Sequence, residues 1–199
     1  MLPISPGIVT ILAACALLAV LGAAVLCDVR EHRIPNVLIV LGLAAGLACN
    51  ALAPPGLGFF DAARPGSLGV LQAMAGAATG FALFLPLYVV RAMGAGDVKL
   101  MAMTGAFLGA PGVADAVLLT FVCGGIFAGG VAAWNGVLSR ALSNVRFMLT
   151  DALVRALGTG AGAVEPAALS AGKVPYAIAI AAGTGLSIAM ARIGCSIFS

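Results

Sequence analysis

Long apolar runs without a charged side chain recur along the whole chain and constrain its fold more than any other feature. About 20 apolar residues suffice to cross the hydrocarbon core of a bilayer. These runs lie at Met1–Cys27, Ile34–Phe60, Pro65–Val90, Leu100–Ala114, Ala116–Ser139 and Val174–Ala191. Only 9% of the 199 residues are charged, against about a quarter in a soluble domain. The sequence therefore predicts an all-α polytopic membrane protein with one integral membrane domain over residues 1–199.

Turn-forming residues between the apolar runs divide the chain into about six transmembrane helices. We expect them at roughly Gly7–Cys27, Ile34–Ala53, Leu68–Val90, Val98–Ala110, Ala116–Leu138 and Val174–Ile193. The fourth helix would reach only about 20 Å, at about 1.5 Å per residue. It must therefore tilt, extend past Pro111 or lie partly inside the protein, away from lipid. Residues 144–157 place apolar and charged side chains on opposite helical faces, which predicts a short cytoplasmic amphipathic helix.

The lysine and arginine residues predict how the helices are oriented, because cytoplasmic loops of membrane proteins are enriched in them. If the N-terminus lies outside the cytoplasm, all but Arg64 and Arg192 of the 10 basic residues fall on the cytoplasmic side. The reverse orientation would invert this bias. The net charge of +3 reflects the loops of a protein embedded in a lipid bilayer, and no nucleic-acid partner is expected.

Two acidic residues stand out because each lies next to a predicted helix end. Asp28 follows the first apolar run, at the C-terminal end of a helix, where the macrodipole disfavours negative charge. Solvent and a neighbouring Arg30 or Arg33 would compensate it if its role were only structural. Asp97 follows the glycine-rich residues 94–96 and could simply cap the next helix.

Considered together, the two carboxylates predict a catalytic site. Two membrane crossings separate them in the predicted topology, so both return to the cytoplasmic edge of the bilayer. Two carboxylates that share a site hold a single proton near neutral pH. The ionised member can then activate water for attack on a peptide bond while the protonated member supports the oxyanion, without a metal ion. Gly94 and Gly96 permit unusual backbone angles and would let a substrate strand approach closely.

Three short motifs resemble those of the type IV prepilin peptidases. Gly94-Ala95-Gly96-Asp97 resembles the G-x-G-D signature that this family shares with presenilin-like intramembrane proteases. Asp28 followed by Ile34-Pro35-Asn36 resembles the family's first motif, and Lys173-Val174-Pro175-Tyr176-Ala177 is similar to its Pro-Tyr segment. The motifs stand in the right order and cover nearly the whole chain.

This resemblance implies a membrane-embedded aspartyl endopeptidase of the bacterial inner membrane, with Asp28 and Asp97 as catalytic residues. Its substrates would be prepilins with a short basic leader, a Gly before the cut and an apolar helix after it. The cysteine-bearing cytoplasmic insertion of longer members is missing, so the chain resembles the short subgroup that serves Flp-type tight-adherence pili. Pilus assembly proteins would be further partners.

The resemblance leaves one activity open and implies no cofactor for proteolysis. The family also N-methylates the new terminus with S-adenosylmethionine, but no glycine-rich nucleotide motif in a strand–helix context is visible here. The chain has a single histidine and few acids in its apolar runs, so no metal site is expected.

Five further residues are expected to support the site or contact the substrate: Pro35, Asn36, Gly94, Gly96 and Lys99. Pro35 and Asn36 suit the start of helix two, because the fixed φ of proline fits a first turn. Lys99 lies two residues after Asp97 and so should not neutralise it. Contact of Lys99 with lipid headgroups or with an acid of the substrate is expected instead.

A small ion- or proton-coupled transporter or assembly subunit is the alternative, because intramembrane acids mark ion pathways as readily as catalytic sites. Such a protein would place a polar residue near the middle of the membrane, often in matched halves. Here the acids lie at one edge and no internal repeat is evident. The sequence leaves open which pilin is cut, the oligomeric state and which aspartate is the base.

Overall fold

Five α-helices make up most of the described chain. The computed structural model describes residues 6–31, 33–61, 63–89, 92–134, 136, 143, 146, 150, 176–195, 197 and 198. The helices are α1 (Pro6–Glu31), α2 (Asn36–Leu52), α3 (Val70–Val89), α4 (Ala95–Trp134) and α5 (Tyr176–Arg192). Among these residues α1, α3 and α4 are long and apolar enough to cross a membrane, and α2 and α5 are shorter apolar helices. The chain is an all-helical polytopic membrane protein.

Two units divide the chain, and every contact discussed below lies within the first. The first unit comprises Met1–Gly124 and Pro175–Ser199, and the second comprises Gly125–Val174. Residues 125–134 of the second unit are the last turns of α4. The predicted amphipathic helix at 144–157 falls outside the described residues except at Arg146 and Thr150. It therefore stays a prediction.

Helix α4 is a helical hairpin that combines the predicted fourth and fifth helices. Its backbone leaves helical geometry at Gly109, where φ is 72° and ψ is 179°. A Cβ atom on Gly80 would lie 2.6 Å from the carbonyl oxygen of Met101 and 3.1 Å from Cγ2 of Val113. Residues 101 and 113 would be about 18 Å apart on a straight helix. One glycine can contact both only because the chain reverses at Gly109.

The break therefore comes earlier than the sequence predicted. The prediction placed a loop between Ala110 and Ala116, but residues 110–115 are helical. Pro111 lies in the first turn of the second arm, where its missing N–H group breaks no helical hydrogen bond. Gly109 supplies the left-handed φ that the reversal needs, which other residues rarely adopt.

The first arm of α4, residues 95–108, lies inside the protein. Most of its side chains are buried, among them Leu100, Met101, Met103 and Phe107 at 0% exposure. Glycines bring the neighbouring helices close to it. A Cβ on Gly42 of α2 would lie 2.9 Å from Cγ of Met103, and small residues of this kind let membrane helices approach each other. The short fourth helix was expected to tilt, to extend past Pro111 or to lie partly inside the protein. The structure shows the last of these.

Apolar side chains also cover the outer surface of the helices. The exposed ones include Ile11, Leu12, Leu18, Val40, Leu41, Leu71 and Leu85. A soluble protein rarely exposes so many large apolar residues on successive helices. A bilayer accounts for them, because lipid tails solvate apolar side chains.

A buried asparagine joins three elements at the end of the bundle where α2 finishes. Nδ2 of Asn50 donates hydrogen bonds to the carbonyl oxygens of Gly46 and Ala106, both at 3.0 Å. Its Oδ1 accepts the N–H of Leu68 at 3.0 Å. Phe59 and Phe60, in the connection between α2 and α3, are buried beside the core. We call Asn50 together with residues 53–69 the distal cap.

Candidate active site

The two aspartates line one cleft, at the end of the bundle opposite the distal cap. The cleft has a volume of about 300 Å³. Its lining residues are Asp28, Arg33, Ile34, Asn36, Gly94, Ala95, Gly96, Asp97 and Lys99. They come from the end of α1, the beginning of α2 and the beginning of α4. We call this site the aspartate cleft.

Asp28 lies in the last turn of α1 and contacts the beginning of α5. Its Oδ2 accepts a hydrogen bond of 3.2 Å from the backbone N–H of Ala177. The sequence indicated that a negative charge at the C-terminal end of α1 needs compensation. The N-terminus of α5 supplies it, because the first N–H groups of a helix have no partner within the helix. Within the described chain, neither Arg30 nor Arg33 forms an ion pair with Asp28.

Asp97 is the third residue of α4, which begins at Ala95 rather than at the predicted Val98. Oδ2 of Asp97 accepts the N–H of Gly94 at 3.1 Å, and the Asp97 N–H donates to the Gly94 carbonyl oxygen at 3.1 Å. A carboxylate that reaches back in this way forms one half of a capping box. Asp97 is only 9% exposed. Asp97 is therefore not the N-cap that the sequence suggested, but it caps the same helix from its third position while lining the aspartate cleft.

The two cleft glycines pack closely but have ordinary backbone angles. Positive φ values occur in the described chain at other glycines, and Gly94 and Gly96 are not among them. A Cβ on Gly96 would lie 3.4 Å from the side chain of Ile34. A Cβ on Gly94 would lie 3.4 Å from Oδ2 of Asp97. The expected unusual angles are thus absent at these two positions, and Gly96 faces Ile34.

Helix α2 begins two residues later than the predicted Ile34, so Pro35 precedes the first turn instead of lying in it. Pro35 is the N-cap of α2 and Asn36 is its first residue. Oδ1 of Asn36 accepts a hydrogen bond of 3.0 Å from Nζ of Lys99. The sequence did not reveal this bond, since the two residues are 63 positions apart. The sequence also did not reveal the contact between Ala177 and Asp28. The Pro-Tyr motif, which ends at Ala177, marked this segment but not its partner.

No group of three or more His, Cys, Asp or Glu side chains gathers in the part of the chain that the structure describes. Among the described residues, the lining of the aspartate cleft contributes two carboxylates to such a group. A reaction that needs no metal ion therefore stays a prediction for this site.

A comparison with known protein families identifies the chain. The profile of the type IV leader peptidase family matches residues 15–129. The chain belongs to the type IV leader peptidase family. The match includes Asp28 and Asp97 with their flanking motifs, whereas α5 lies beyond it. Neither the curated proteins nor the solved structures compared with the chain gave a match.

Membership of the type IV leader peptidase family makes this chain a membrane peptidase. It also agrees with the resemblance carried by the three sequence motifs. The aspartate cleft is the natural candidate for the peptidase site, because both acids of the two matched motifs line it.

Proposed function

We propose that this protein is an aspartyl prepilin peptidase that removes the short basic leader from Flp-type prepilins, cutting after a Gly. The observation that carries the proposal is the meeting of Asp28 and Asp97 in one cleft, at the beginning of a buried helical arm. Membership of a leader peptidase family supports the same conclusion.

The mechanism uses the two carboxylates as a dyad that shares one proton. The ionised member takes a proton from a water molecule as its oxygen bonds to the scissile carbonyl carbon. The protonated member donates a hydrogen bond to the oxygen that becomes negative. When the C–N bond breaks, the leaving nitrogen receives a proton from the dyad, so the products are a carboxylic acid and a new amino terminus. Hydrogen bonds from Ala177 and Gly94 hold the carboxylates in place.

The distribution of the basic residues supports the proposed orientation in a bacterial inner membrane. Arg30, Arg33 and Lys99 lie at the end of the bundle that holds the aspartate cleft. Arg64, in the distal cap, and Arg192, at the end of α5, lie at the opposite end. The positive-inside rule favours a cytoplasmic cleft and periplasmic termini. The apolar helix of a prepilin would then enter the bilayer beside the cleft, and pilus assembly proteins would receive the product.

Methylation is not part of the proposal. The described residues that line the aspartate cleft include no aromatic side chain, and its glycines do not form the strand-to-helix loop of a nucleotide site. These residues do not fit S-adenosylmethionine. We therefore assign no methyl-transfer step to the cleft.

A proton- or ion-coupled transporter is the second candidate, and Asp115 is the observation in its favour. Asp115 is buried in the second arm of α4, and its Oδ1 has no hydrogen-bond partner in the described chain. Buried intramembrane acids can belong to ion pathways. However, Oδ2 of Asp115 accepts the N–H of Ile197 at 3.2 Å, so the residue also anchors the end of the chain.

The deciding experiment incubates purified protein in detergent with a Flp-type prepilin and identifies the products by mass spectrometry. We expect a single cut after the Gly that precedes the apolar helix, and no cut in a prepilin whose Gly is replaced by a bulky residue. A protein that leaves every prepilin intact but moves protons in sealed vesicles would contradict the proposal and favour the transporter.

A further inference from the structure

The connection between α1 and α2 rests on the first turns of α4. The side chain of Ile34 faces Gly96, and Lys99 Nζ donates to Asn36 Oδ1 at 3.0 Å. The same short stretch of chain begins just after Asp28, and the same helical turn carries Asp97. These contacts therefore join α4, which carries Asp97, to the residues that directly follow α1, the helix that carries Asp28.

The partner of Lys99 is unexpected on electrostatic grounds. Two carboxylates line the same cleft as Lys99, yet its ammonium group donates to a neutral amide. No ion pair joins the charged cleft residues to one another within the described chain. A hydrogen bond to Asn36 holds the cation in one place without pairing it to either acid. An ion pair with Asp97 would favour two ionised carboxylates, which is the wrong state for a dyad that must hold one proton.

We propose that Lys99 and Asn36 form a brace that fixes the positions of Asp28 and Asp97 relative to each other. Both are positioning residues, and neither contacts the reacting atoms. The inference rests on the proposed peptidase function for its kinetic consequence. The brace itself is a property of the folded protein and can be measured without a substrate.

The brace lies at an exposed site, so its contribution to global stability is small, whereas its contribution to catalysis is large. Exposed hydrogen bonds add little to the free energy of unfolding. Misplacement of reacting groups by about 1 Å can lower a rate about 100-fold. We therefore expect variants of the brace to lose kcat while keeping their KM and their thermal stability.

The test is a double-mutant cycle with Lys99→Met, Asn36→Leu and the double variant, in full-length protein. Each single variant should lower kcat about tenfold with little change in KM. The kcat of the double variant should be no lower than that of the less active single variant. Lys99→Arg, which keeps a donor, should recover most of the lost rate. Arg64→Met, in the distal cap, is the control for removal of an exposed cation and should cleave at the wild-type rate.

Hydrogen–deuterium exchange of residues 93–100 is the readout that needs no substrate. Exchange should rise to the same extent in both single variants and in the double variant, and stay unchanged in Arg64→Met. This separates the two proposals: a wild type that cuts no prepilin refutes the peptidase, and the exchange data still test the brace. The brace is refuted if the two losses multiply in the double variant. It is also refuted if Lys99→Met loses rate and Asn36→Leu does not, because Lys99 would then act alone on lipid or substrate.

Discussion

The two ends of the bundle use polar residues in opposite ways. In the distal cap, Asn50 is buried and forms three hydrogen bonds that use both its amide and its carbonyl groups. In the aspartate cleft, Arg33 and Lys99 are exposed, and two carboxylates lie together without a cation paired to either in the described chain. Fully bonded buried polar groups favour a single packed arrangement. Unpaired acids in a cleft are costly and persist where chemistry needs them.

This comparison implies that stability and activity are separable along the same helices. Helix α2 runs from the aspartate cleft at Asn36 to the distal cap at Asn50, and the first arm of α4 runs beside it. Substitutions at one end should change the reaction rate, and equivalent substitutions at the other should change the free energy of unfolding. The predictions below test this separation in order of expected effect.

The largest effect is expected from Asp28→Asn and Asp97→Asn. Each removes the acid–base chemistry of the dyad and should lower the cleavage rate by about 1,000-fold or more. The matched control is Asp115→Asn, the same change at a buried acid outside the cleft, which should retain most activity. Glu31→Gln and Asp61→Asn should also retain it. Near wild-type cleavage by either cleft variant, measured by gel shift of a prepilin, would show that the dyad is misassigned.

The cleavage rate should change about tenfold per pH unit at both the acidic and the basic extreme of its pH profile. The dyad is active with one proton, so protonation of the second carboxylate at low pH and loss of the shared proton at high pH both stop the reaction. kcat/KM should therefore be bell-shaped. A rate that only rises or only falls between the two limits would argue against a shared proton.

The two ends of the bundle should react with reagents on opposite sides of the membrane. We propose single cysteines at Arg33, in the aspartate cleft, and at Arg64, in the distal cap, in a variant that lacks the five native cysteines, all of them free thiols. A membrane-impermeant thiol reagent added to intact cells with a permeable outer membrane should label position 64 and spare position 33. Labelling at position 33 alone would show that the protein has the opposite topology.

Asn50→Ala should lower stability and leave catalysis almost unchanged. The variant leaves the N–H of Leu68 and the carbonyl oxygen of Ala106 without the partner they have now. Each buried group left unpaired costs about 1–3 kcal/mol. The control is Asn36→Ala, the same substitution at an exposed position of the same helix, which should keep the melting temperature. A drop in kcat without a drop in melting temperature for Asn50→Ala would remove the distinction between the ends.

Local patterns predicted the membrane class and the helices near the termini, because charge-free runs are properties of neighbouring residues. Short motifs drew attention to the two acids that line the aspartate cleft, and their catalytic role stays a prediction. The beginning of α2 was predicted to within two residues, at Ile34 instead of Asn36. The family profile confirms the family that the motifs suggested. The length of the fourth helix left three alternatives open, and its burial inside the protein was one of them.

Contacts between distant residues could not be predicted in this way. Ala177 and Asp28 are 149 positions apart, and nothing local to either residue indicates the other. The hairpin at Gly109 was misplaced because Pro111 suits a loop and a first helical turn equally well. Asn50 could have been found, since it follows Gly42 and Gly46 at intervals of four and so lies on the same helical face.

The smallest effect is expected from chelation, which should change neither end of the bundle. The described lining of the aspartate cleft offers two carboxylates, and the proposed reaction uses water activated by a carboxylate. EDTA should therefore leave the cleavage rate within about twofold of its value without chelator, a range that single surface changes also produce. The second arm of α4 contains the buried Asp115, whose Oδ1 lacks a partner in the described chain. The melting temperature is measured as well, because a cation bound to Asp115 would stabilise the fold. Loss of cleavage that zinc restores would replace the dyad mechanism with a metal-dependent one. A melting temperature that falls with EDTA at constant rate would instead place a structural cation beside Asp115 and leave the aspartate cleft as described.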